Sequence, residues 1–87
     1  MSLTARAVND RLRRAGLLAK YTGQRLYRST WDTGYRAELV GGAIEVTLYW
    51  YGERKPLMEI SRREFACIGL DLDITTRVVT RAKGAEP

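Results

Sequence analysis

The chain has 87 residues, 45% of them hydrophobic and 29% charged, with a formal net charge of +5. That length makes one domain with a single core and leaves no room for a large enclosed active site. No run approaches the roughly 18 apolar residues of a membrane-spanning helix, and the opening MSLTARAVNDRLRR lacks the apolar stretch of a secretory signal.

The charge is uneven. Residues 1–36 hold eight Lys/Arg and two acids, residues 37–74 four and seven, and residues 75–87 three and one. A basic first third is compatible with nucleic acid or with an acidic protein surface. Arginine outnumbers lysine twelve to three, which favours bidentate phosphate or carboxylate contacts, although GC-rich coding gives the same bias. One cysteine, Cys67, excludes an internal disulfide and suits a reducing cytoplasm.

Thr4 stands as a helix N-cap, with Leu3 and Val8 at the positions of a hydrophobic staple. Ala5, Val8, Leu12 and Ala15 recur at helical spacing, and Gly16 then Leu17 form a stop signal. A helix over about residues 5–15 follows, with Arg6, Asp10, Arg13 and Arg14 outward and Asp10 able to pair with Arg14. Residues 17–23 read as a connector. Residues 24–31 read as one weakly patterned strand, with Tyr27 and Trp31 inward and Arg28 outward. Asp32-Thr33-Gly34 is a turn.

Residues 35–51, YRAELVGGAIEVTLYWY, are two alternating runs joined by Gly41-Gly42. A two-residue link of glycines signals a hairpin, because its turn needs positive φ at both positions. The register then sets Val40 opposite Ala43, Leu39 opposite Ile44, Ala37 opposite Val46 and Tyr35 opposite Leu48. Tyr35, Ala37, Leu39, Ile44, Val46, Leu48 and Trp50 share an apolar face. Arg36, Glu38, Val40, Glu45, Thr47, Tyr49 and Tyr51 share a mixed, wet one. Glu38 faces Glu45, a like-charge pair that Arg36 could offset.

Residues 52–56 read as a polar turn and residues 57–60 as a short return strand. Ser61-Arg62-Arg63-Glu64 matches a capping box that starts a short helix through Cys67 or Ile68. Arg62 and Arg63 then oppose the dipole of its first turn, and Cys67 reads as a buried small hydrophobe. Leu70-Asp71-Leu72-Asp73-Ile74-Thr75 alternates, giving a last strand over about 70–79, with a helix over 74–82 as the competing reading. Residues 83–87 read as a disordered tail on a domain spanning 1–82.

The expected fold is a small α+β domain in the order α-β-β-β-(β)-α-β, an antiparallel sheet built on the Gly-Gly hairpin with the first helix packed on its apolar face. The order α-β-β-β-α is similar to that of double-stranded RNA-binding domains. Only Arg62 and Arg63 stand at their basic cluster, however, and an extra strand follows. Residues 61–81 resemble a helix-turn-helix, through Ala66, Gly69 and a second helix from Ile74, with an interval one residue short. Neither resemblance assigns a family.

The sequence holds no histidine, which removes the commonest general base and the usual catalytic zinc sets. Asp71 and Asp73 share a strand face and offer a weak magnesium site that a solvated face explains as well. No enzyme, cofactor or metal site is expected. The leading reading is a cytoplasmic protein-binding module, an inhibitor or adaptor of phage or mobile-element type. It would dock Tyr49, Tyr51 and Arg36 on an acidic partner, or form a dimer by edge-strand pairing. The alternative is nucleic-acid binding through Arg6, Arg13, Arg14, Arg25 and Arg28.

Overall fold

The computed structural model describes residues 2–25 and 28–82. In chain order the elements are α1 (Ala5–Arg14), β1 (Tyr21–Arg25), β2 (Arg28–Trp31), β3 (Gly34–Val40), β4 (Ala43–Trp50), β5 (Glu53–Lys55), α2 (Glu59–Ala66), β6 (Leu70–Leu72) and β7 (Val79–Arg81). The fold is α+β. β3, β4 and β5 form an antiparallel sheet with β4 in the middle, and β1–β2 and β6–β7 are separate hairpins.

Local chemistry sets both ends of α1. The Ala7 N–H donates to Thr4 Oγ1 at 3.0 Å, so Thr4 is the N-cap. At the other end Gly16 turns to φ 75°. Its N–H donates to the Arg13 carbonyl at 3.1 Å, and the Leu17 N–H reaches the Leu12 carbonyl at 2.8 Å. These two bonds are the Schellman closure that Gly16 and Leu17 announce. Val8 and Leu12 are fully buried. Ala15 is exposed instead of completing the stripe, because it is the C-cap and lies past the last turn. Asp10 pairs with Arg13 at 2.8 Å rather than with Arg14.

The central hairpin forms in the register set by its glycines: Val40 opposite Ala43, Leu39 opposite Ile44, Ala37 opposite Val46 and Tyr35 opposite Leu48. Tyr35, Ala37, Ile44 and Val46 are buried in a core with Val8, Leu12, Phe65, Leu70, Leu72 and Val79. Leu39 and Trp50, assigned to the same face, are 69% and 53% exposed. The ten residues of α1 span about 15 Å at 1.5 Å each, so the helix covers only the middle of the longer hairpin. The like charges Glu38 and Glu45 do face each other. It is Arg77 that offsets them, through a 2.8 Å bond to Glu45.

Gly34 opens β3 rather than closing a loop. It sits at φ 145°, and an added Cβ would lie 2.5 Å from the Ala19 nitrogen and 2.7 Å from the Leu17 oxygen. The segment Leu17–Ala19 runs along the outer edge of β3, with Tyr35 N–H to Leu17 O at 2.8 Å and Ala19 N–H to Tyr35 O at 3.0 Å. Asn9 continues that edge from α1. Its Oδ1 accepts from the Ala37 N–H at 2.8 Å and its Nδ2 donates to the Ala37 carbonyl at 3.1 Å. The amide side chain thus stands in for a strand residue, a role its place on the helix does not announce.

Several elements differ from the sequence reading. The single strand over 24–31 is two strands, β1 and β2, paired with Arg25 opposite Arg28. Tyr27 lies outside the described residues, as does the tail at 83–87. The polar turn over 52–56 contains β5, which returns along β4 through the tighter turn Tyr51-Gly52. The strand over 57–60 is absent, because α2 starts at Glu59 with Met58 as its N-cap. Ser61 is therefore N3, its Oγ accepting from the Met58 N–H at 3.1 Å. This places Glu59 in the first turn, paired with Arg62, and Arg63 in the last turn, where the dipole favours it. Cys67 is the exposed C-cap.

The alternation from Leu70 breaks at Asp73. Its Oδ1 accepts from the N–H groups of Thr75 at 2.9 Å and Thr76 at 3.2 Å, and Arg77 turns to φ 67°. The result is a hairpin of β6 and β7, neither a continuous strand nor a helix over 74–82. The helix-turn-helix resemblance ends there. β7 is drawn against the sheet by the Val46 N–H, which donates to the Arg77 carbonyl at 2.8 Å.

Candidate functional site

The face of the hairpin opposite α1 is covered at its Tyr49 end, while Glu38 and Val40 at the other end are exposed. Tyr49 points there as its register demands, yet it is only 8% exposed. Trp31 at the end of β2 lies over it, with ring centroids 6.3 Å apart. The Arg36 guanidinium sits 4.1 Å from the Trp31 ring centre and donates to the Ala19 carbonyl at 3.4 Å. Tyr21 meets Trp31 edge-on at 5.0 Å. Arg36 and Tyr49 are thus brought together, but as the floor beneath Trp31. The assignment of Tyr49 to a wet docking face is corrected: Trp31 lies over it.

Tyr51 stands apart from them. It is 76% exposed and packs edge-to-face on Trp50, which is 53% exposed, with centroids 4.9 Å apart and planes at 84°. Trp50 was read as core. It escapes burial because it is the last residue of β4, beyond the reach of α1. The two rings form a right-angled corner at the end of the sheet.

That corner is built on a strained turn. Tyr51 and Gly52 have φ of 49° and 88°, both in the left-handed region. A two-residue turn of this kind prefers Asn-Gly or Gly-Gly. An ordinary L-residue in the left-handed region costs roughly 1–2 kcal/mol. The Tyr51 N–H is held by Thr33 Oγ1 at 3.1 Å, which ties the turn to the loop before β3. Next to the corner, Glu53 and Lys55 are paired at 3.3 Å. Arg54, between them and opposite Tyr49, is exposed and in no ion pair among the described residues.

The arginines proposed for nucleic acid fall on α1, β1 and β2. Arg6, Arg13 and Arg14 are exposed on α1, with Arg13 engaged by Asp10. Arg25 and Arg28 are register partners in the β1–β2 ribbon. Arg11, passed over by the sequence reading, is structural: its Nη1 donates to the carbonyl of Ile68 at 3.1 Å and of Gly69 at 3.5 Å.

The interior holds one notable polar contact. The Tyr35 hydroxyl donates to Glu64 Oε1 at 2.5 Å, tying α2 to β3. Burial first, and then the Glu64 carboxylate, push the Tyr35 pKa up to about 12. Asp73, whose carboxylate accepts from the turn amides of Thr76 and Thr75, is held below the usual carboxylate range. Its commitment to that turn leaves it poorly placed to share a metal with Asp71. No cluster of three or more His, Cys, Asp or Glu side chains able to hold a metal exists among the described residues. A shallow apolar groove of about 690 Å³ runs between the start of α1 and β7, lined by Leu3, Leu39, Ile44, Val79 and Arg81.

Fold and site together define a small α+β domain that presents an aromatic corner on a left-handed turn. No family model, no curated protein and no solved structure matches the chain. No helix among the described residues is long and apolar enough to cross a membrane.

Proposed function

We propose that this is a non-catalytic protein-binding module, an inhibitor or adaptor of the cytoplasm, that engages its partner through the corner formed by Trp50 and Tyr51. The observation that carries this reading is the backbone of Tyr51. A bulky aromatic occupies a left-handed position that Asn or Gly would fill without strain, and it is 76% exposed. Strain of this kind clusters at functional sites, and Trp and Tyr are enriched among the anchors of protein interfaces. Arg36 and Tyr49 serve beneath, by holding Trp31. The preference for an acidic partner rests on the net charge of +5.

Self-association by edge pairing draws little support. The outer edge of β3 is taken at Tyr35 by Leu17 and Ala19 and at Ala37 by Asn9. β5 is three charged residues long and is followed by Pro56, a protected edge.

The test is affinity capture from a host lysate on the immobilised protein and on its Tyr51→Asn variant. A protein retained by the first in moderate salt and lost from the second is expected. Identical capture by both columns would refute the reading. The second reading, nucleic-acid binding, rests on the exposed α1 arginines. It requires an affinity that falls steeply with salt and that an Arg13→Glu/Arg14→Glu variant loses while staying folded.

A further inference from the structure

We draw no further inference here: the strongest candidate, the shallow apolar groove between the start of α1 and β7 walled by Leu3, Leu39, Ile44 and Val79, is an unpartnered face, and nothing in the structure shows what covers it.

Discussion

Replacing Tyr51 by Asn and, separately, by Ala isolates the strain in the turn. Both substitutions remove the same ring, and hence the same edge-to-face contact with Trp50 and the same small buried area, since Tyr51 is 76% exposed. They differ in how they tolerate φ 49°. Ala keeps the clash of Cβ with the following carbonyl, worth roughly 1–2 kcal/mol, while Asn visits this region readily and relieves part of it. The lost ring contact offsets about 0.5 kcal/mol or somewhat more in each variant. Tyr51→Asn should therefore be as stable as the native protein or slightly more so, and about 1 kcal/mol more stable than Tyr51→Ala. In a domain of this size that difference corresponds to about 4–8 °C in Tm. Urea unfolding followed by tryptophan fluorescence and thermal unfolding followed by circular dichroism measure it. Equal stabilities for the Asn and Ala variants would refute the argument that the turn carries strain, and with it the main support for a functional Tyr51.

Asn9→Ala should cost about 2 kcal/mol in urea unfolding, because the Ala37 N–H and carbonyl lose both their partners at a partly buried edge. Gly34→Ala should destabilise by about 3 kcal/mol or more, or abolish folding. Its Cβ meets backbone atoms at 2.5 and 2.7 Å that cannot rotate away. A normal yield and Tm for that variant would contradict the packing of Leu17–Ala19 on β3. Tyr35, with its pKa raised from 10.0 to about 12, keeps its proton in the folded state over a range where the unfolded chain loses it. Its contribution is therefore complete below about pH 10 and is lost as the pH climbs towards about 12. Tyr35→Phe should flatten that alkaline loss of stability in a pH series of melts. Asp73 has the opposite sign, its lowered pKa adding stability that disappears as the pH falls below the usual carboxylate range. Asp73→Asn should blunt the acid limb of the same series.

The parts legible in sequence are those where two independent local rules agree. In the central hairpin the two glycines and the period-two alternation demand one register, and a slip of one residue would have exposed Val46 and Ala37. In α1 the Thr4 cap, the Val8/Leu12 stripe and the Gly16 stop all coincide. Where only one rule operated, the reading failed. Ser61-x-x-Glu64 has the form of a capping box, yet Ser61 is used from the N3 side and Glu64 is drawn away to Tyr35. The alternation from Leu70 runs straight through Asp73, and nothing in the pattern announces that its side chain will bind two turn amides. Burial of Tyr49 was illegible for a different reason. Whether Trp31 reaches Tyr49 depends on the path of β2, and the weak pattern of residues 24–31 does not show where that strand starts. The functional corner was half visible. Tyr51 was singled out, while Trp50 was assigned inward by parity without regard to how far the covering helix reaches.

The bond from Arg11 to the carbonyls of Ile68 and Gly69 has a consequence for how the protein is made. α1 is translated early and carries its own caps, but Val8 and Leu12 have nothing to pack on until the hairpin exists. The side chain that fastens the helix to the far half must wait until residues 68 and 69 have left the ribosome. The first helix thus stays with its apolar stripe bare until the hairpin has followed it. A pause in translation before the hairpin is complete would prolong that exposure, and one between the hairpin and residue 68 would leave the helix docked but not yet fastened by Arg11.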